Sequence, residues 1–280
     1  MTSVLKPIFQ YKVKPNKNLG QNFLTDPSTA NMIIKKAELL PQDTILEIGP
    51  GLGGLTFPIA STVKKVYAVE KDTKLINILN HQIIKKGFSN IELINNDILY
   101  FDINSLCKNK QKIIVIGNLP YKISSQIIVK LINNRDIIKK AVIMLQKETV
   151  QRLLAKPKTK DYGRLTAMLN YCSKTTKLCN VDSHLFYPKP KVDSAIIKID
   201  FLKNYPIKAA DEKFLFSVIK AGFAQRRKNL KNTLTKSGVL NIEPQICIKA
   251  LQDAEIDPTR RGETLTIEEF VSLSNRLFLT

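Results

Sequence analysis

The chain is predicted to fold as an α/β protein on a doubly wound, mostly parallel sheet, followed by a small all-α domain. Three observations carry this expectation. Short β-branched runs alternate with amphipathic stretches, a glycine-rich turn follows the first of those runs, and the strand signal stops near residue 205. Alternation of this kind makes βαβ units, whose crossovers cover both faces of a parallel sheet.

Taken in order, the strands are TILEIG (44–49), KVYAVE (65–70), IELINN (91–96), IIVIGN (113–118) and AVIMLQ (141–146), all read as buried. Between the second and third, DTKLINILNHQIIKK (72–86) places Leu75, Ile78, Leu79 and Ile83 on one helical face. A later apolar strand, SAIIKIDF (194–201), follows the Pro-rich FYPKPK (186–191). Beyond it, EKFLFSVIKAGF (212–223), RKNLKNTLTKSG (227–238), EPQICIKALQDA (243–254) and TIEEFVSLSNRLF (266–278) read as four short helices. The domains are therefore drawn at 1–204 and 205–280, with no internal repeat or low-complexity tract.

Composition narrows the class of partner. The 280 residues carry 44 Lys and Arg against 24 Asp and Glu, a net +20 with both histidines neutral, yet 44% are hydrophobic. That is a folded basic protein, and its partner is a polyanion, either nucleic acid or an acidic membrane surface. Residues 1–204 hold 32 basic and 15 acidic side chains, whereas 205–280 hold 12 and 9, so the excess lies in the first part. Residues 1–25 form a basic arm with four Lys and no acid, and Lys108 to Lys160 contains 13 cations against Asp136 and Glu148. A simply solvated lysine-rich surface is the alternative reading of any one cluster.

No apolar run approaches the roughly 18 residues of a spanning helix, and no signal-peptide core is visible, so the chain reads as cytosolic with no membrane role. Cys107, Cys172, Cys179 and Cys247 form no C-x-x-C pair, and only His81 and His184 offer imidazole. Structural zinc, disulfides and a His-based triad are all disfavoured, and no metal is expected. A monomer is the default oligomeric state.

The chemistry-bearing motifs fall at strand ends. In ILEIGPGLGGLT (45–56), Gly49, Gly51 and Gly53 let backbone turn tightly and approach a ligand that a Cβ would block. Glu70 ends the second strand, 19 residues beyond Gly51, where a carboxylate accepts both hydroxyls of a ribose. The spacing Gly49-x-Gly51-x-x-Gly54 fits NAD and S-adenosylmethionine equally. Asp97 closes the third strand, where it accepts an adenine amine or serves as a turn residue. The fourth strand ends in Asn118, Leu119, Pro120 and Tyr121, a turn that a dehydrogenase does not need. An aromatic exocyclic amine is a weak nucleophile because its lone pair is delocalised into the ring. Acceptors on its two N–H groups, the Asn118 side-chain oxygen and the Leu119 carbonyl, favour a more tetrahedral nitrogen and aim its lone pair at a methyl group. Pro120 stiffens the turn, and Tyr121 offers a ring for the base to stack on.

The segments KNLGQNFLTD (17–26), EIGPGLGGLT (47–56), NLPY (118–121), MLQKE (144–148), YGRLTAM (162–168), FYPKPKVDS (186–194) and AGFAQRRKNLKNTL (221–234) run in order along nearly the whole chain. Together they resemble the bacterial small-subunit (16S) rRNA adenine N6,N6-dimethyltransferases, the kasugamycin-sensitivity family. The resemblance implies a seven-stranded Rossmann-like methyltransferase sheet, S-adenosyl-L-methionine as cofactor, and the small ribosomal subunit and its rRNA as partner. Two adjacent adenosines in the 3′-terminal hairpin loop would be dimethylated late in subunit assembly.

Carried onto this sequence, the family pattern places Asn22 and Leu24 beside the methionine portion of the cofactor, with Gln21 a further carboxylate contact. It places Gly49 and Gly51 in the loop, Glu70 on the ribose, Asp97 on the adenine and Asn118 between cofactor and target base. Phe186 matches an aromatic that sandwiches the flipped base opposite Tyr121; without the family it reads as core. Arg226, Arg227, Lys228 and Lys231 are expected to contact RNA, with a packing role for Arg227 as the alternative, and residues 205–280 become an RNA- or ribosome-binding domain. Glu47, on the buried strand, is read as orienting the glycine loop. Position 22 is Asn where some relatives carry His, and position 189 is Lys where a third Pro is common.

Three rivals differ in testable ways. An erythromycin-resistance type of large-subunit rRNA methyltransferase shares the catalytic pattern but fits AGFAQRRKNLKNTL and RRGETLTIEEF (260–270) poorly. A non-catalytic RNA-binding assembly factor would bind cofactor without transferring methyl. A dehydrogenase would bind NAD rather than S-adenosylhomocysteine.

Overall fold

The computed structural model describes residues 8, 10–107, 111–203, 205–240 and 242–279. The strands are β1 (Phe23–Leu24), β2 (Thr44–Ile48), β3 (Lys65–Glu70), β4 (Ile91–Asn95), β5 (Ile113–Asn118), β6 (Ile138–Gln146), β7 (Ser173–Val181), β8 (Phe186–Tyr187) and β9 (Ser194–Phe201). The helices are α1 (Pro27–Ala37), α2 (Thr56–Ala60), α3 (Thr73–Lys86), α4 (Ser124–Asn133), α5 (Lys147–Leu153), α6 (Arg164–Cys172), α7 (Glu212–Gly222), α8 (Leu230–Lys236), α9 (Pro244–Asp253) and α10 (Ile267–Phe278).

Seven strands form one sheet in the order β4-β3-β2-β5-β6-β9-β7, and β1 pairs with β8 in a separate two-stranded ribbon. β2 is parallel to both β3 and β5, β3 to β4 and β5 to β6, while β9 runs antiparallel to β6. The chain winds outward from β2 to β4 and then restarts on the other side of β2 with β5. The carboxyl ends of β2 and β5 therefore diverge at a switch point, where α/β sheets bind ligands.

Local chemistry explains the element ends. Asp72 caps α3 by accepting from Lys74 N–H, and Gly87 closes it in the left-handed region at φ 72°. Asp26 caps α1, which has Pro at its first turn. At the far end of α1, the ammonium of buried Lys140 donates to the carbonyls of Ala37 (2.5 Å) and Glu38 (3.2 Å), satisfying acceptors the helix leaves open. Ile45, Val66, Ile114, Ile116 and Val142 form the core with Ala30 and Ile33 of α1.

Three expectations change. The strand read at 91–96 is an edge, and its side chains are half-buried to exposed rather than buried. β7 had no apolar signal because it is the opposite edge, where Lys174 and Lys177 interrupt the alternation and protect it from pairing. The boundary at 204 also misplaces one segment. The chain forms two compact units, one of residues 1–150 with 175–201 and one of 151–174 with 202–280. Residues 151–174 join the second unit because α6 buries Thr166, Ala167, Met168, Leu169, Tyr171 and Cys172, and Tyr171 stacks on Tyr205 at 4.8 Å and accepts from Ala209 N–H.

In that second unit, the Arg260 guanidinium forks onto both Glu269 oxygens, at 2.5 and 2.9 Å, while Glu269 also completes the capping box with Thr266. Gly262 lies against the Gly222 backbone, where an added Cβ would come within 2.3 Å of its carbonyl oxygen. These contacts give RRGETLTIEEF a structural role.

Candidate active site

The glycine loop leaves β2 with Gly49, Gly51 and Gly53 at φ 68°, 58° and 84°, backbone that side-chain-bearing residues avoid. A Cβ on Gly51 would stand 3.0 Å from the Phe23 ring. Glu70 shapes the loop from below: its carboxylate accepts from Gly51 N–H at 3.2 Å and from Asp72 N–H at 2.9 Å. Burial raises the Glu70 pKa, while those backbone donors pull the other way without cancelling it. Deeper in β2, Glu47 is 1% exposed and one of its carboxylate oxygens has no partner among the described residues. Burial pushes its pKa up to about 8, the Thr56 hydroxyl opposing and the Glu70 charge adding, which favours the protonated form.

Above the loop lies a cavity of about 370 Å³ lined by Gln21, Asn22, Gly49, Gly51, Glu70, Asp97, Asn118, Leu119, Pro120 and Tyr121. Its size falls within the range of small-molecule sites, about 300–1,000 Å³. At one end Asp97 accepts from Leu99 N–H at 2.9 Å and from the Lys71 ammonium at 2.8 Å. Burial raises the Asp97 pKa, but Lys71, the Leu99 N–H and Lys130 outweigh it and hold the carboxyl below its usual range. At the other end the Asn118 amide donates to the Asn22 carbonyl at 2.9 Å, which leaves its oxygen without a donor among the described residues. The Tyr121 hydroxyl bonds Ser194 Oγ at 2.9 Å and fixes the ring. Residues 18–22 line the same cavity, and Gln21 holds them by accepting from Asn16 N–H and donating to Asp72, each at 2.8 Å.

Ten residues singled out in the sequence, separated by up to a hundred positions, thus line one cavity. Leu24 lines a smaller adjoining recess with Asn22, Gly49, Gly51 and Asn118. Phe186 does not join the cavity. It is 4% exposed, packed with Leu24, Met144 and Ile196 in the core, because its pairing with Leu24 in the β1–β8 ribbon turns its ring inward. The structure adds Lys71, Ile98, Leu99 and Tyr100 to the wall. These residues flank Glu70 and Asp97 in sequence, and that adjacency was the available signal.

The four cations assigned to RNA lie in the second unit, and they differ from one another. Arg226 donates to the carbonyls of Lys160 and Tyr162 and pairs with Glu263 at 3.4 Å, so the packing contacts weighed as the alternative for Arg227 are made by Arg226. Arg227 and Lys228 are exposed, and Lys231 is half-buried on α8. Of the basic stretches, Lys6, Lys108 and Lys110 lie outside the described residues. No cluster of metal-ligating side chains occurs among the described residues, and no helix there is long and apolar enough to cross a membrane.

Nucleoside chemistry fits this cavity. It has a buried carboxylate for a diol, a second carboxylate for an amine, apolar walls from Ile98 and Leu99, and a loop in which a Cβ on Gly51 would strike Phe23.

Comparison with known proteins agrees. The chain is 51% identical over 262 residues to ribosomal RNA small subunit methyltransferase A of Desulforapulum autotrophicum, covering 94% of this chain and 92% of that protein. It is 43% identical over 269 residues to the protein of the same name from Clostridium botulinum, covering 96% of each. Among solved structures it resembles a dimethyladenosine transferase from Plasmodium falciparum, with TM-score 0.77, 28% identity and coverage of 90% and 95%. It also resembles the 23S rRNA methyltransferase ErmE, with TM-score 0.67, 28% identity and coverage of 91% and 99%. The family model for ribosomal RNA adenine dimethylase matches residues 12–277, and with a 51% identical relative spanning the chain this protein belongs to the ribosomal RNA adenine dimethylase family.

Proposed function

We propose that this protein transfers methyl groups from S-adenosylmethionine to the N6 amines of two adjacent adenosines in the 3′-terminal hairpin loop of 16S rRNA, in the cytoplasm and as a monomer. The observation that carries the proposal is the Asn118–Tyr121 turn lining a cavity of about 370 Å³, with the Asn118 amide tied to Asn22 and its oxygen without a donor among the described residues. The small-subunit name of the 51% identical relative favours this target over large-subunit rRNA.

S-adenosylmethionine supplies an electrophilic methyl on sulfur. Glu70 accepts from the ribose hydroxyls and Asp97 from the adenine amine, while Gly49 and Gly51 let the backbone come close. Asn118 Oδ1 and the Leu119 carbonyl accept the two N–H groups of the target amine and aim its lone pair in line with the methyl. The amine so aimed would accept the methyl that the bound cofactor supplies, leaving the demethylated cofactor as product, and its surplus proton would pass to water. A resident base is unnecessary, which agrees with a cavity wall that contains no histidine among the described residues. Tyr121 supports the extruded base, and the helical second unit supplies further RNA or ribosome contacts.

The test is to incubate the protein and labelled cofactor with unmethylated small subunits, large subunits and naked rRNA, then map modified nucleosides. Two N6,N6-dimethyladenosines in small subunits are expected. Label confined to large-subunit rRNA, or cofactor binding without transfer, overturns the proposal.

A further inference from the structure

Tyr121 is anchored through Ser194, and Ser194 is the register partner of Gln146, the last residue of β6. The next residue, Lys147, donates its N–H to the Asp193 carbonyl at 3.0 Å, which holds its backbone beside the same anchor. On the other flank Lys122 follows Tyr121 in the one-turn segment Tyr121–Ile123 and lines the cavity. Both lysines are exposed, and neither has an ion-pair partner among the described residues. Of the nearby anions, the Asp193 carboxylate accepts from Ser183 N–H at 3.0 Å and feels the Lys147 charge without forming an ion-pair contact with it, and Glu148 has a partner. Some other cations of this unit are neutralised locally, Lys65 by Glu92 and Lys71 by Asp97, both at 2.8 Å, and Lys198 by Glu38 and Asp200. Two exposed lysines without an ion-pair contact among the described residues therefore sit on the segments that carry and anchor the ring on which the target base is read to lie.

A nucleotide turned out of its stack carries its 5′ and 3′ phosphates to the mouth of the pocket that takes its base. We infer that Lys122 and Lys147 hold the two phosphates flanking the target adenosine, so that the catalytic unit itself positions the substrate strand. The inference rests on the Asn118–Tyr121 turn being the target-base site. It adds two contacts that the motif pattern did not assign.

Each phosphate contact contributes about 0.7–0.9 to the slope of log affinity against log salt. The test compares wild type, Lys122→Gln/Lys147→Gln, Lys122→Arg/Lys147→Arg and a control, Lys35→Gln/Lys36→Gln. The control lowers net charge equally at the opposite end of the strands, near the point where Lys140 meets α1. Small-subunit binding is measured across salt with S-adenosylhomocysteine present, alongside methyl-transfer kinetics, calorimetric cofactor affinity and melting temperature. The glutamine pair is expected to flatten the slope by about 1.5 and raise KM about fivefold or more, with kcat changing less than KM. Cofactor affinity and melting temperature stay near wild type, the arginine pair restores the slope, and the control pair keeps it. An unchanged slope and KM in the glutamine pair, or an equal change in the control, overturns the assignment. Wild-type kinetics in Tyr121→Ala would instead refute the base site, and the phosphate assignment with it.

Discussion

Replacing Glu70 with alanine separates two tasks performed by one carboxylate. In the folded chain its oxygens accept from Gly51 N–H at 3.2 Å and Asp72 N–H at 2.9 Å, in a buried setting. Removing it strands two backbone donors, at about 1–3 kcal/mol each. An opposing effect reduces that sum. Burial raises the Glu70 pKa, so the stability linked to this group is present below the ordinary carboxylate range and is lost as pH rises through the folded value. Alanine abolishes that loss at neutral pH. A net destabilisation of about 1–3 kcal/mol is expected, a drop of several degrees in melting temperature. Cofactor affinity carries a separate loss, because ribose hydroxyls donating to an ionised carboxylate contribute about 1.5–3 kcal/mol, or about 10- to 150-fold in Kd. Calorimetric titration with S-adenosylhomocysteine, paired with melts with and without ligand, reads both quantities, and filter binding checks that small-subunit affinity stays within a fewfold. Glu70→Gln, which keeps one acceptor and the side-chain shape, should melt closer to wild type yet still bind weakly. Wild-type affinity in a destabilised Glu70→Ala would reduce Glu70 to a scaffold group and remove it from the cofactor site.

Asn118→Ala should slow single-turnover methyl transfer about 100-fold or more while cofactor affinity changes less than tenfold, since the lost oxygen orients the amine; near-normal rates would remove this residue from the mechanism. Glu47 makes a pH-dependent contribution. With its pKa raised to about 8 in the fold, stability linked to Glu47 is full below about 4.5 and declines toward pH 8, so the melting advantage of Glu47→Gln over wild type should grow from pH 5 to pH 8. Parallel melting curves would show that the buried carboxyl is not neutral. In the second unit, Arg226→Ala should lower the melting temperature by about 2–4 °C, an ion pair and carbonyl contacts together contributing about 1 kcal/mol at a half-exposed site. Arg227→Ala/Lys228→Ala should leave melting alone and flatten the salt slope of small-subunit binding by about 1.5. The opposite pattern would return Arg227 to the packing role.

Much of the site was legible in the sequence because its signals are local. A strand running into Gly49, Gly51 and Gly53 announces a ligand-facing turn, since few other residues take those backbone angles. Glu70, Asp97 and Asn118 could be placed without coordinates because successive parallel strands deliver their carboxyl ends to one edge of the sheet. Only the tertiary structure decided matters that depend on which faces meet. Phe186 and Tyr187 are neighbours, and the antiparallel register of a two-residue ribbon sends the first into the core. Arg226, Arg227 and Lys228 read as one basic run, yet a single carboxylate, Glu263, far along the chain, anchors the first and leaves the next two exposed. Helix α6 was assigned to the wrong unit because burial on both of its faces names no partner; α7 and α10, which pack against it, begin forty or more residues away. Turn conformation and the succession of parallel strands follow from short-range sterics and alternation, which a sequence displays. Side-chain partners depend on long-range packing, which appears only once the chain has closed on itself.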